Sequence, residues 1–351
     1  MIIPKMHINL NNIKNNFALL QAIASPTRVS AVIKGNAYGL GRTEVARALF
    51  GAGCREFFVA DWQEVLDLPS EILPLSNIYA LSGVEPSGFH DIISHRVIPM
   101  LHRIDQVESW ARIAGPKQLC GIQVNMGLNR LGIDIDSIGR LASIANIGIV
   151  LNHLSCGYNM EHESNKVECD LMKSIALQYN LRITITGSCG FLLDRGIGLD
   201  GAYMVRAGRL LYGIIPSEFQ GKLSQIKHCA TLYAVLISIR HVKKGQHIGY
   251  NEAFLADHDM EIGILNIGYS SGYRVSSAGQ VAFNSGVYYR IVSQSMDFTT
   301  IDITNTRPKI GDEFELFGAN ITQDFGNHIA LPGLANIRRV YQSAIPEQKI
   351  A

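Results

Sequence analysis

The chain is expected to fold as an α/β protein, a (β/α)8 TIM barrel followed by a C-terminal all-β domain, and three features predict it. Short apolar runs recur up to about residue 225, spaced about 20–35 residues apart. Each is followed by a helix-like stretch, and most are continuously apolar, as strands covered on both faces should be. After that point the texture changes to β-rich runs separated by turn signals.

In chain order the barrel strands are expected at Val29–Ile33, Phe57–Ala60, Ile78–Leu81, Val97–Leu101, Cys120–Val124, Val150–His153, Arg182–Thr186 and Tyr203–Val205. Eight strands alternating with helices suggest a closed parallel barrel. An open doubly wound sheet shares the pattern, because periodicity does not count closure. Beyond these, Thr231–Ile239 reads as a long strand that turns at Lys243-Lys244-Gly245-Gln246. Glu261–Ile267, Val287–Val292, Thr299–Ile303, Glu313–Phe317 and Ile337–Tyr341 follow, punctuated by Asn284-Ser285-Gly286 and Gly311-Asp312. The expected division is a barrel over residues 1–225 and a β domain over 226–351, the first few residues pairing with the latter.

Composition excludes several classes of partner. Lys and Arg number 31 against 30 Asp and Glu in 351 residues, a formal charge of +1, so no field draws nucleic acid or an anionic membrane. Charged residues are 17% of the chain, below the roughly 25% of an average soluble protein, which points to a large interior or a buried subunit interface. The opening residues lack the basic and apolar regions of a signal peptide, and no uncharged apolar run reaches the ~18 residues of a membrane helix. The six cysteines form no C-x-x-C pair and the 11 histidines no H-x-x-x-H or H-E-x-x-H pattern. No metal is therefore expected, and reduced thiols in a cytoplasmic protein are.

The chemistry concentrates at Ser30-Ala-Val-Ile-Lys34-Gly-Asn-Ala-Tyr38-Gly-Leu-Gly41. An apolar strand ends on a lysine, and Gly-Asn then turns the chain. In barrels the C-terminal strand ends carry the active site. A lysine there sheds its proton when desolvated and can form a Schiff base with an aldehyde cofactor. The plainer reading of the same position is a strand-end lysine reaching solvent.

Residues 31–41 closely resemble the cofactor-lysine signature of the alanine racemase family, A-V-V-K-A-N-A-Y-G-H-G, and later segments match in the same order over nearly the whole chain. The resemblance implies a (β/α)8 barrel that binds pyridoxal 5′-phosphate, a C-terminal β domain, and a homodimer with shared active sites. It implies that Lys34 carries the cofactor covalently and that Tyr38 contacts its phosphate. Val205-Arg206-Ala-Gly208-Arg209-Leu-Leu-Tyr-Gly213 is similar to the family's V-R-P-G-x-x-L-Y-G, so Arg206 would face the pyridine nitrogen. Arginine keeps its proton, and the ring nitrogen would then stay unprotonated. Such a ring is a weaker electron sink, which favours reprotonation at Cα over transamination. The resemblance assigns the phosphate to Ser188, in Thr186-Gly187-Ser188-Cys189-Gly190, and to the main chain of Gly208 and Arg209. Late barrel loops often form anion nests of this kind.

Gln123-Val-Asn-Met-Gly127-Leu-Asn-Arg130-Leu-Gly132 resembles K-x-D-T-G-M-G-R-L-G. Arg130 would touch the cofactor's phenolic oxygen and the substrate carboxylate, both suited to its planar fork. The family's frequent lysine, often carbamylated, is Gln123 here, and its usual aspartate is Asn125. Two potential negative charges are thus missing beside Arg130, and no carbamate is expected. Leu151-Asn-His153-Leu-Ser resembles the family strand that carries a histidine next to the pyridoxal ring.

Gly249-Tyr250-Asn-Glu-Ala-Phe254 resembles x-Y-G-x-x-Y/F, whose first tyrosine enters the partner subunit's active site. Tyr250 would be a second base opposite Lys34; without the resemblance it reads as a tyrosine capping a hairpin. Gly268-Tyr-Ser-Ser-Gly-Tyr-Arg274 and Ser295-Met296-Asp297 resemble G-Y-A-D-G-x-x-R and C-M-D, placing the Met296 backbone near the substrate carboxylate. In the first, the family's aspartate is Ser271. Gly333–Arg339 aligns with a segment that usually holds a phosphate-contacting tyrosine, where this chain has Ala335.

The activity implied is interconversion of L- and D-alanine by two bases, Lys34 serving the face of the D-enantiomer and Tyr250 that of the L-enantiomer. Ala335 and Gln123 motivate an alternative, a broad-specificity or serine racemase on the same fold. A decarboxylase of the same barrel family would place a carboxylate, not Arg206, at the pyridine nitrogen. A pyridoxal-phosphate-binding protein without turnover would lack the β domain that carries Tyr250. The expected partners are a small amino-acid substrate and a second copy of the chain.

Overall fold

The computed structural model describes residues 3–115, 117–216, 221, 223–275, 280–321 and 337–342. The chain divides into two compact units, one of Ile13–Ala37 and Arg42–Lys227, the other of Met1–Asn12, Tyr38–Gly41 and His228–Ala351. Strand β1 (Lys5–Asn9) belongs to the second. The first holds β2 (Arg28–Val32), β3 (Glu56–Val59), β4 (Asn77–Ala80), β5 (Val97–Leu101), β6 (Leu119–Gln123), β7 (Asn146–Leu151), β8 (Ile183–Thr184) and β9 (Met204–Ala207).

These eight strands are parallel and ordered β8-β7-β6-β5-β4-β3-β2-β9, so β3 to β8 each pair with the strand before them and β9 returns to β2. The order never reverses, as it would in a doubly wound sheet. The remaining seam is carried by Tyr203 N–H to the Ile183 carbonyl at 2.9 Å and Arg206 N–H to the Thr186 carbonyl at 3.1 Å. The sheet is a nearly closed barrel. All eight expected runs overlap its strands, with ends shifted by up to four residues. β8 keeps only two residues of the expected Arg182–Thr186.

Every residue of β3 is buried, and β2 is buried after Arg28, since one face of each strand fills the barrel and the other lies under helices. The helix Leu10–Ala24 buries Ile13, Phe17, Leu20 and Ala24, a single stripe at helical spacing. Trp110 of the helix Ile104–Ile113 packs edge-on against Phe89 with ring centroids 5.0 Å apart. At the N-terminal rim the buried carboxylate of Glu56 accepts the Tyr79 hydroxyl at 2.9 Å and pairs with Arg28 at 3.7 Å. That rim of a barrel serves stability; the opposite rim is free for chemistry.

The second unit adds β10 (Ala230–Val242), β11 (His247–Ile248), β12 (Phe254–Leu255), β13 (Met260–Leu265), β14 (Val281–Asn284), β15 (Val287–Gln294), β16 (Thr299–Asp302), β17 (Glu313–Phe317) and β18 (Arg338–Gln342). Its main sheet runs β13-β16-β15-β14-β17-β10-β1-β18, and β13 pairs again with β10. β10 can serve two ladders because its register shifts between Leu236 and Ser238. Its first half faces β17 and its second half β13. β1 lies antiparallel to β10 and parallel to β18.

The turn signal at Asn284-Ser285-Gly286 closes the hairpin β14–β15. Ser285 and Gly286 both take positive φ, 49° and 87°, as a two-residue primed turn requires. β11 and β12 form a separate hairpin beside a cluster of Ile248, Ala256, Met260, Ile262 and Val292. Neither was among the expected runs. Among the described residues no helix is long and apolar enough to cross a membrane, and no group of three His, Cys, Asp or Glu side chains could hold a metal.

Candidate active site

The barrel brings seven of the expected residues to one rim. Lys34 follows β2, Arg130 lies in the loop after β6, and His153 stands two residues past β7. Ser188 follows β8, Arg206 is the last but one residue of β9, and Gly208 and Arg209 follow it. All are at C-terminal strand ends, where loops rather than ladders set the direction of side chains.

Backbone after Lys34 is unusual. Gly35, Asn36, Ala37 and Tyr38 have φ of 61°, 55°, 53° and 57°, a left-handed helical turn of which only the first residue is glycine. Each of the other three costs roughly 1–2 kcal/mol relative to the right-handed region. Such a turn persists only where its surroundings over-determine it. Ala37 N–H donates to the Ile33 carbonyl at 2.8 Å. Asn36 Oδ1 accepts the N–H of Arg42 at 2.8 Å, and Glu64 Oε1 accepts that of Gly35 at 2.9 Å.

Lys34 opens to solvent at the mouth, but protein atoms crowd its amine and lower its pKa; the charges of Arg130 and Arg206 act in the same sense and that of Glu64 against. His153 too is exposed at the mouth, yet its imidazole is pushed down to about 3, first by desolvation from the surrounding protein atoms and then by Arg206, Arg130 and Lys34. It is neutral throughout the physiological range. Arg206 is only 4% exposed, and burial pulls its pKa down to about 10, which still leaves it charged at neutral pH.

The Arg206 guanidinium is fully directed. Nη1 donates to the Thr184 carbonyl at 2.9 Å and to Thr184 Oγ1 at 2.7 Å, and Nη2 to the Asn152 carbonyl at 2.8 Å. Asn152 Nδ2 in turn donates at 2.8 Å to Glu168, a buried carboxylate that also accepts the Ser155 hydroxyl at 2.6 Å.

Beside it, Ser188 Oγ accepts the N–H of Gly208 at 3.1 Å and of Leu210 at 3.4 Å. Two short 3-10 turns, Ser188–Phe191 and Arg209–Tyr212, therefore begin side by side. Arg209 Nε is buried without a hydrogen-bond partner among the described residues. The Ser188 hydroxyl and the N–H groups of Gly208 and Leu210 converge at this corner, a cluster of donors of the kind that can hold an anion.

Gln123 and Asn125 both act on the loop of Arg130 rather than on its side chain. Gln123 Nε2 donates to the Leu131 carbonyl at 3.3 Å, while Asn125 Oδ1 accepts the Asn129 N–H at 2.9 Å. Arg130 itself is exposed and forms no ion pair among the described residues.

The remaining expected residues lie in the second unit. Tyr38 is half-buried at the end of the left-handed turn. Tyr250 stands 67% exposed at the tip of the β11–β12 hairpin, on a turn where Asn251 and Glu252 have positive φ. Met296 is exposed, and its carbonyl accepts the Ser270 N–H at 2.8 Å. Ala335 lies outside the described residues.

The sequence profile of the alanine racemase N-terminal domain matches residues 8–216, and that of the alanine racemase C-terminal domain residues 229–333. The chain belongs to the alanine racemase family. It is 31% identical over 335 residues to the alanine racemase of Rickettsia africae (strain ESF-5), covering 91% of both chains. Over 337 residues it is 31% identical to that of Brucella canis, covering 89% of this chain and 84% of the relative. The crystal structure of alanine racemase from Bartonella henselae with covalently bound pyridoxal phosphate has a TM-score of 0.86 at 28% identity, covering 97% of this chain and all of that one.

Sequence reasoning passed over Thr184, Asn152 and Glu168, which direct Arg206 and the strand of His153, and over Arg42 and Glu64. Asn152 and Thr184 carried a weak signal, polar residues on otherwise apolar strand ends. Glu64 carried none, since one acid in a loop looks like any other.

Proposed function

We propose that the protein is a pyridoxal-phosphate-dependent alanine racemase that works as a homodimer with shared active sites. The observation that carries this reading is the rim itself: a lysine amine of lowered proton affinity beside Arg130, His153 and Arg206, next to a corner built for an anion. Family membership over both domains supports it, as does the cofactor of the Bartonella henselae relative.

The residues fit pyridoxal phosphate. Ser188 and the backbone of Gly208 and Arg209 would hold its phosphate together with Tyr38, at the corner where the Ser188 hydroxyl meets the Gly208 N–H. Lys34 would carry the aldehyde carbon, and Arg206 and the neutral His153 would face the ring. When bound, the cofactor supplies an electron-accepting system conjugated to the substrate amine, which acidifies the Cα–H. Arg130 and the Met296 backbone would hold the substrate carboxylate.

The Lys34 amine would move the proton at Cα on the face of a D-enantiomer, and Tyr250 of the partner subunit on the face of an L-enantiomer. The exposed position of Tyr250, close in sequence to exposed Leu255, supports a surface that a second copy covers. In this reading residues 1–225 bind the cofactor and 226–351 lend Tyr250 to the partner. We place the protein in the cytoplasm, supported by six cysteines that are all free thiols.

The test is a substrate panel. Purified protein is assayed for racemisation of alanine, serine, lysine and arginine, with cofactor attachment read by borohydride reduction and peptide mapping. Alanine turnover with the reduced cofactor on Lys34 is expected. Cofactor retained covalently in Lys34→Ala, or serine turned over faster than alanine, would overturn the assignment.

A further inference from the structure

Lys34 is bracketed by a single ion pair. Arg42 Nε donates at 3.4 Å to the carbonyl of Ile33, immediately before the lysine. Glu64 Oε1 accepts at 2.9 Å the N–H of Gly35, immediately after it. The two side chains are joined to each other through the guanidinium and Oε1, and Arg42 Nη1 also reaches the Glu64 carbonyl at 2.7 Å. The second carboxylate oxygen accepts the Ala60 N–H, just past β3, at 2.7 Å, and Asp67 Oδ2 takes a further Arg42 bond at 2.9 Å. Arg42 is buried, 4% exposed.

This arrangement meets a need. A left-handed turn of mostly non-glycine residues does not hold itself. Its first N–H and the carbonyl that precedes Lys34 are the groups the pair secures. A pair that only tied two loops together could contact backbone anywhere along them; this one contacts the two peptide groups that flank the lysine. Among the described residues, Glu64 is also the negative charge that acts on the Lys34 amine.

We propose that Arg42 and Glu64 are positioning residues that fix the direction in which Lys34 leaves the rim and so set the rate of proton transfer at the substrate Cα. The inference rests on the racemase reading above. Neither residue touches the reacting atoms; both act through the peptide groups on either side of the lysine.

The experiment compares parent holoenzyme with Glu64→Gln, Glu64→Asp and Arg42→Lys. Glu64→Gln keeps the shape and one acceptor but loses the charge. Its kcat is expected to fall between about tenfold and about a hundredfold, with KM for alanine changing less than about twofold. The limb of the kcat–pH profile that reports loss of the Lys34 proton should move to lower pH, because the anion that favours the protonated amine is gone. Absorbance of the bound cofactor should titrate at lower pH as well. Glu64→Asp should recover part of kcat. Arg42→Lys keeps the charge but cannot span Ile33, Glu64 and Asp67, so kcat should fall with the pH limb nearly in place.

Variants that match the parent in kcat and in both pH profiles, and differ only in melting temperature, would reduce the pair to a structural tie. Should Glu64→Gln fail to fold, an unchanged kcat in Arg42→Lys overturns the proposal equally. A parent without reducible cofactor would sink the racemase reading and this one with it, whereas an active parent with unchanged variants sinks this one alone.

Discussion

The Arg206 guanidinium and the His153 backbone are joined through one carbonyl: Arg206 Nη2 donates at 2.8 Å to the oxygen of Asn152, the residue before the histidine. The same guanidinium holds Thr184 on the strand between them. One buried charge thus ties β9, β8 and the end of β7 together, where β8 has only two residues of regular strand. The seam that closes the barrel and the residue expected to face the cofactor ring are one feature.

Arg206→Met should therefore cost stability as well as activity. It removes the guanidinium donor from the Thr184 hydroxyl and the Asn152 carbonyl, while the Thr184 carbonyl keeps only the Asn152 N–H, a loss of roughly 2–4 kcal/mol. Urea unfolding of the apoprotein measures it. A loss below roughly 0.5 kcal/mol would mean that water replaces the guanidinium at no cost.

His153 links stability to pH. Its folded pKa lies near 3 against an ordinary 6.5, so below the ordinary value the unfolded chain binds a proton that the folded one does not. The contribution is complete above about pH 6.5 and is lost progressively as pH falls toward about 3. Apoprotein unfolding across that window should show the parent losing stability faster than His153→Gln. Parallel curves would place the imidazole in water.

Mixing two inactive variants tests the shared site. In a hybrid of Lys34→Ala with Tyr250→Phe, one site carries both lesions and the other neither. Random reassociation should restore about a quarter of parental activity. No recovery in verified hybrid dimers would place both residues of a site in one chain. Tyr250→Phe alone should slow Cα–deuterium exchange of L-alanine more than that of D-alanine.

Gly268→Ala should destabilise the second unit. An added Cβ would stand 2.3 Å from the Ser295 carbonyl oxygen and 2.4 Å from that of Met296, both backbone atoms that cannot rotate away. The expected loss is roughly 1–3 kcal/mol. Gly51→Ala, where nothing lies within 4 Å, serves as the comparison and should be neutral or slightly stabilising. Equal melting temperatures for the two would count against the close approach of the Gly268 and Ser295 turns.

Much of the site was legible because its residues sit at the ends of apolar runs, and a run's end is visible in one dimension. Lys34 after Ile33 and His153 at the end of the run Val150–His153 are examples. Arg206 was found as the end of a run, whereas β9 continues through Ala207, because a buried arginine can stay in a strand once carbonyls meet its donors. The neutral residues at 123 and 125 were noticed as missing charges; their actual bonds, to Leu131 and Asn129, depend on how one loop folds back.

By itself the sequence determined the number of barrel strands and their places along the chain, the β-rich second half and the lysine at the first strand end. Those follow from local pattern, the alternation of apolar runs with turns. Only the tertiary structure decided that β9 returns to β2, that Arg206 reaches across β8 to Asn152, and that Glu64 meets the peptide beside Lys34. Each of these brings together groups far apart in the chain, and such contacts arise from closing the barrel, which puts no mark on the residues that will meet.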